Sequence, residues 1–167
     1  MDRLYTPWRL AYVTQASHTT PPCIFCAAIN NLEHDPLVVY RGTRAFVILN
    51  KFPYNNGHVM VVPNRHIGRL ADFTAEELAE TMTLAQSVET ALTEIYAPHG
   101  FNLGLNIGKP AGAGVLDHLH VHIVPRWNGD TSFMTVFGDT RVLPEELSVT
   151  ADRLRDVLTR ARGDEPR

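Results

Sequence analysis

The stretch His118-Leu119-His120-Val121-His122-Ile123-Val124-Pro125 places three imidazoles two residues apart, with one aliphatic residue between each pair. In an extended chain alternate side chains share a face, so the histidines would line one side of a strand while Leu119, Val121 and Ile123 face the other. At a rise of about 3.3 Å per residue, neighbouring imidazoles would stand about 6.6 Å apart, within reach of one polyanionic substrate. Histidine titrates near neutrality, so such a row can supply a nucleophile, a proton donor and a metal ligand. Chance clustering among the 8 histidines of the chain is the simpler reading. Against it, the apolar alternation marks a half-buried strand whose polar face requires partners.

Outward from this strand, short apolar runs at Leu37–Tyr40 and Ala45–Leu49 flank Arg41-Gly42-Thr43-Arg44, a hairpin signal. Val59–Val62 follows the break at Pro53 to Gly57, and Asn102–Ile107 precedes the histidine strand. Between those last two strands, Gly108 to Gly114 is too rich in glycine for a regular element. Thr74-Ala75-Glu76-Glu77 has the form of a capping box. Leu78, Met82, Ala85, Val88, Leu92 and Ile95 then recur at helical spacing until Pro98, and read as a core-packing stripe. A last helix is expected from Ala151 to Arg162, burying Leu154, Val157, Leu158 and Ala161. Hairpin strands, a long helix, two more strands and a final helix predict an α+β fold on an antiparallel sheet of five to six strands. Residues 1–22 read as an N-terminal arm and linker, 23–162 as a single domain and 163–167 as a frayed tail. Leu4, Tyr5, Trp8, Leu10, Tyr12 and Val13 make the arm too apolar to float free.

Composition narrows the classes of function. A net charge of −3 gives no global basic field, so nucleic acid is not a favoured partner, while a mononucleotide needs only local donors. The first residues lack the apolar core of a signal peptide, and no window approaches the ~18 consecutive apolar residues of a membrane span. The expectation is a cytoplasmic protein without membrane partners. Its 2 cysteines, Cys23 and Cys26, are too few for a disulfide scaffold. A lone CxxC fits a redox pair, an unoccupied thiol pair or half of a zinc site, because tetrahedral zinc needs two more ligands.

The histidine row resembles the signature of the histidine triad (HIT) superfamily of nucleotide hydrolases and transferases. The likeness extends through Asn50–Pro63 (NKFPYNNGHVMVVP), the long helical segment and GVLDHLHVHIVPRWNGDTSFM, from the TPWR at Thr6 to the region of Pro144. It points to the branch that acts on diadenosine tetraphosphate, whether hydrolase or phosphorylase. The resemblance implies a HIT-like fold, and two-fold homodimers through the long helix and an adjoining strand.

By resemblance His120 is the nucleophile toward the α-phosphate, forming a nucleotidyl-histidine, and water or orthophosphate is the acceptor. His122 would bind the phosphate, His58 would buttress the triad, and His118 completes the catalytic set. Asn50 matches the residue that binds the ribose hydroxyls, and Asn106 is the nearest match to a phosphate-binding side chain. Ile48, Phe46 and Met60 fit an adenine wall as well as an ordinary core. Lys109, Gly112 and Gly114 fit a phosphate-approaching loop as well as a plain connector. Zinc-bearing members add two histidines to the cysteines, here His66 and His118, which gives a structural Zn2+ held by Cys23, Cys26, His66 and His118. Arg126 is a candidate phosphate contact, and Trp127 a candidate for stacking on a base or closing the dimer. Competing readings are a nucleoside phosphoramidate hydrolase or nucleotidyl transferase, and a non-catalytic nucleotide sensor.

Overall fold

A computed structural model describes residues 22–31, 35–131 and 144–163. The N-terminal arm, nearly all of the linker and the tail beyond Gly163 lie outside the described residues. Five strands form one antiparallel sheet: β1 (Val38–Arg41), β2 (Ala45–Leu49), β3 (Val59–Pro63), β4 (Gly100–Leu105) and β5 (Val121–Arg126). Their spatial order is β1-β2-β3-β5-β4, which puts the histidine segment inside the sheet and leaves β4 at an edge. Among the described residues three α-helices pack with the sheet: α1 (Ile24–Asn30), α2 (Ala75–Tyr96) and α3 (Leu147–Arg162).

β2 and β3 read AFVIL and VMVVP, continuous apolar runs rather than alternating ones, and every residue in both is buried. Such runs belong to strands covered on both faces. On one face Val47, Leu49, Val59, Val61, Val121 and Ile123 pack against Leu84, Val88 and Leu92 of α2 and Leu154 and Leu158 of α3. On the other, Phe46, Ile48, Met60 and Val62 pack against Phe25 and Ala28 of α1.

Several expectations are corrected. The strand predicted over His118–Val124 begins only at Val121, because Leu119 N–H bonds the Ile67 carbonyl and draws residues 118–120 out of the ladder. The helical stripe is not wholly core: Ala85, Val88 and Leu92 are buried, but Leu78 and Met82 are exposed and the inward face adds Thr81, Leu84 and Ala91. The glycine-rich connector contains a short 3₁₀ turn at Lys109–Ala111. α1 was not anticipated, and the last helix starts at Leu147 rather than Ala151.

The capping box stands as predicted: Glu77 N–H donates to Thr74 Oγ1 and Thr74 N–H to Glu77 Oε2. Arg65 grips the same carboxylate through Nε at 2.9 Å and Nη2 at 2.7 Å, tying the loop that follows β3 to the start of α2. Those bonds hold the Glu77 carboxyl at about 2. A carboxyl depressed on folding stabilises the fold above its unfolded range near 4.5, and that contribution fades as pH falls toward 2. Glu77→Ala is expected to cost about 1–2 kcal/mol in urea unfolding, as loss of a cap does. Glu77→Gln, which keeps the box, should cost less, because the Arg65 side chain is 49% exposed and the ion pair is partly screened.

Candidate active site and metal centre

The turn 51–57 ends in Gly57 at φ 73°, where an added Cβ would lie 3.0 Å from Leu92. That conformation belongs to glycine, and it delivers His58 into the sheet face that bears His122. His58 is fully buried. Its Nδ1 accepts the Tyr54 backbone N–H at 3.0 Å, so its Nε2 carries the proton and donates to His122 Nδ1 at 2.9 Å. His122 is thereby fixed with Nε2–H as its outward donor. Tyr54 packs against both rings, tilted on His58 with centroids 4.6 Å apart and stacked on His122 at 5.9 Å.

The same accounting settles the other two triad members. His120 Nδ1 faces the His118 carbonyl at 3.0 Å and must donate to it, which leaves His120 Nε2 with a free lone pair. His118 Nε2 donates to the Pro63 carbonyl at 2.8 Å, so His118 Nδ1 is the unprotonated nitrogen. Each imidazole thus has one nitrogen held by the protein and one left for chemistry. His120 and His122 meet edge to face with centroids 4.7 Å apart, closer than a regular strand would give. The bend of residues 118–120 accounts for the difference. Phe25 of α1 fills the space against His118 and His120.

Burial lowers the pKa of all three, most for His122, which falls to about 4 with help from neighbouring His120. His122 is therefore neutral at pH 7, and it donates through a tautomer rather than through a positive charge.

His118 Nδ1 points at the thiols at the start of α1, 3.4 Å from Sγ of the N-cap residue Cys23 and 3.6 Å from Cys26 Sγ. Cys26 Sγ lies 3.2 Å from His66 Nδ1, and all four donor atoms fall within 4.8 Å of one another. Zinc–sulfur and zinc–nitrogen bonds of about 2.3 and 2.0 Å at tetrahedral angles put donors about 3.5 Å apart. The four residues therefore fit the ion in donor type and in spacing. Cys23 at the N-cap of α1 and Cys26 in its first turn are brought to the histidines together by that helix.

The remaining predicted residues sort by position. The Asn50 carboxamide is turned into its own turn: Oδ1 accepts the Phe52 N–H at 2.9 Å and Nδ2 approaches His58 at 3.4 Å. Phe46 is a correction, since it is 0% exposed in the core and offers a ligand no surface. Ile48 and Met60 lie in the same cluster and keep 7% and 6%. Asn106 lines an open cleft of about 320 Å³ together with His122 and Tyr54, whereas Lys109, Gly112 and Gly114 do not line it.

Sequence reading missed one polar cluster. Asp130 accepts from Arg126 Nε at 2.6 Å and Nη2 at 2.9 Å, from Asn55 Nδ2 at 3.0 Å and from Trp127 N–H at 3.1 Å. Arg126 Nη1 also donates to Asn102 Oδ1. The guanidinium is thus chiefly a clamp joining β4, β5 and the Tyr54 turn. The four-residue spacing of Arg126 and Asp130 was the available signal.

A family model for the HIT domain matches residues 31–129. The chain is 41% identical over 157 residues to a protein of Mycobacterium tuberculosis named AP-4-A phosphorylase, covering 90% of this chain and 80% of that one. It is 36% identical over 95 residues to the asymmetrical bis(5'-nucleosyl)-tetraphosphatase of Schizosaccharomyces pombe, covering 57% of this chain and 52% of that one. A zinc-bound histidine triad family protein from Mycobacterium smegmatis superposes with a TM-score of 0.69 at 29% identity, covering 85% of this chain and 96% of that one. With the triad in place on its antiparallel sheet and these likenesses over most of its length, the chain belongs to the HIT domain family.

Proposed function

We propose that the protein is an enzyme that cleaves dinucleoside polyphosphates, diadenosine tetraphosphate first among them, through a nucleotide carried on His120. The observation that carries this reading is the pair of complementary nitrogens: a bare His120 Nε2 beside a protonated His122 Nε2. His120 Nε2 attacks the α-phosphorus, the bond to the bridging oxygen breaks, and its electron pair leaves with the departing nucleoside polyphosphate. His122 Nε2–H hydrogen-bonds a nonbridging oxygen as charge gathers there. An acceptor then attacks the phosphorus and releases His120. Asn50, Asn106, Ile48 and Met60 would bind the nucleotide.

Zn2+ held by Cys23, Cys26, His66 and His118 would have four protein ligands and so a structural role. It would fix the His118 backbone, whose carbonyl in turn orients His120. A homodimer is supported by the open edge of β4, where Leu103, Leu105 and nearby Ile107 are exposed, and by exposed Leu78 and Met82 on α2. Among the described residues no helix is long and apolar enough to cross a membrane.

The test is product analysis with diadenosine tetraphosphate in the presence and absence of orthophosphate. ATP with AMP in the absence of phosphate identifies water as acceptor. ADP with ATP, formed only when phosphate is added, identifies a phosphorylase, the activity named for the mycobacterial relative. No cleavage under either condition would overturn the reading.

A further inference from the structure

We infer that Asp130 is a positioning residue for His122, acting on it through Asn55 and the turn that delivers His58. The inference deepens the reaction proposed above, which needs His122 to present Nε2–H. It concerns two residues to which that reaction assigns no part.

The relay begins where the β3–β5 ladder stops. The last pair on that side joins Val59 to Ile123. Beyond it the Pro125 carbonyl is met by a side chain, Asn55 Nδ2 at 3.1 Å. The same amide donates to Asp130 Oδ2 at 3.0 Å, so both of its N–H groups are committed. Asn55 Oδ1 accepts the Asn56 N–H, and the Asn55 carbonyl accepts the His58 N–H. Asn55 thereby anchors the turn one residue after Tyr54, whose N–H donates to His58 Nδ1 at 3.0 Å. The other donor near that nitrogen, Asn50 Nδ2, stands further off at 3.4 Å.

Without the Tyr54 N–H, a neutral His58 could carry its proton on either nitrogen. With the proton on Nδ1, His58 Nε2 would become an acceptor, and His122 would move its own proton to Nδ1 to meet it. His122 Nε2 would then turn a lone pair toward a phosphate oxygen, and repulsion would replace a hydrogen bond. Asp130 is suited to prevent this because it is itself firmly held. Gly129, at φ 80°, closes the turn after β5, and the Asp130 N–H returns to the Trp127 carbonyl. Arg126 grips both carboxylate oxygens and keeps the group well below the usual carboxylate range. Asp130 is thus a charged acceptor for Asn55 throughout the neutral range, and charge strengthens the bond.

Asp130→Asn and Asn55→Ala test the relay. The tautomer of His122 is read in the unliganded protein by long-range proton–nitrogen NMR correlation of its ring. In the unsubstituted protein Nε2 is expected to be the protonated nitrogen. Each variant is expected to populate the Nδ1–H form. Each should also lower kcat for diadenosine tetraphosphate by about tenfold to a hundredfold with little change in KM, the scale on which a misplaced reacting group is felt. The double variant should lose no more than the weaker single one, because both changes break one link. Asn55→Ala leaves the Arg126–Asp130 pair intact, so it remains informative if Asp130→Asn fails to fold. An unchanged His122 tautomer, whatever happens to Tm, would overturn the relay, as would single effects that multiply in the double variant. The tautomer is read without turnover. If the unsubstituted protein fails to cleave diadenosine tetraphosphate while the variants shift the tautomer, the reaction falls and the relay stands. If cleavage is seen and the tautomer does not move, the reverse holds.

Discussion

His120→Asn is expected to abolish turnover of diadenosine tetraphosphate, by on the order of 10^4-fold or more in kcat, the scale on which loss of a nucleophile is felt. Affinity for nucleotide should stay within a few-fold. The asymmetry follows from how His120 is held. Its Nδ1–H is spent on the His118 carbonyl, and an asparagine Nδ2 can reoccupy much of that position. Nothing in asparagine replaces the lone pair of Nε2. His120 is only 5% exposed and packs against Phe25, so a smaller residue of similar polarity disturbs the surrounding core little. Isothermal titration with a slowly cleaved analogue, alongside initial rates, separates the two quantities. A variant that kept its turnover would exclude His120 as the nucleophile. A protein with no measurable turnover before substitution would favour the nucleotide-sensor reading.

How far the sequence anticipated this site depends on the range of the interactions involved. The capping box at Thr74–Glu77 is local, spans four residues and could be read directly. The long helix and the continuous apolar strands were legible for a similar reason, since periodicity and run length are properties of neighbouring residues. α1 escaped because seven residues hold too few turns to show a period, and because Cys23-Ile-Phe-Cys26 drew the eye to its thiols. Phe25 and Ala28, three apart and both buried, were its signature. The bend at residues 118–120 could not be read at all. It is imposed by the Ile67 carbonyl, about fifty residues away in the chain, which claims the Leu119 N–H. For the same reason pattern gave the triad the even spacing of a strand, and it took the bend to bring His120 and His122 together and turn His118 back to the thiols. The metal set was legible only through the family resemblance, because a CxxC specifies half a site. The exposure of Leu78 and Met82 is the converse case. Helical spacing identifies a face without saying what covers it, and here the sheet covers a neighbouring face.

Metal removal should couple stability to catalysis. The purified protein is expected to carry about one zinc per chain by elemental analysis, and Cys26→Ser to weaken zinc by on the order of 10²-fold or more. When free metal exceeds its dissociation constant a thousandfold, binding contributes about 4 kcal/mol to the folded state. For a chain of this size each kcal/mol moves Tm by about 2–4 °C, so chelation should lower Tm by about 10 °C. The loss arises in the segments that the ion would join. The N-cap and first turn of α1 supply the two thiols, the loop after β3 supplies His66, and the entry to β5 supplies His118, three pieces of chain that are distant in sequence. Activity should fall as well, by a route that can be traced. The His118 carbonyl accepts the His120 Nδ1 proton, so a His118 no longer held by the ion would let the nucleophile sample the tautomer in which Nε2 is protonated and inert. The observable is a lowered kcat with little change in KM, reversed by adding zinc to the chelated protein and not reversed in Cys26→Ser. Full activity and an unchanged Tm in metal-free protein would show that the four side chains hold their positions unaided. Backbone packing around Phe25 would then be sufficient to aim His120.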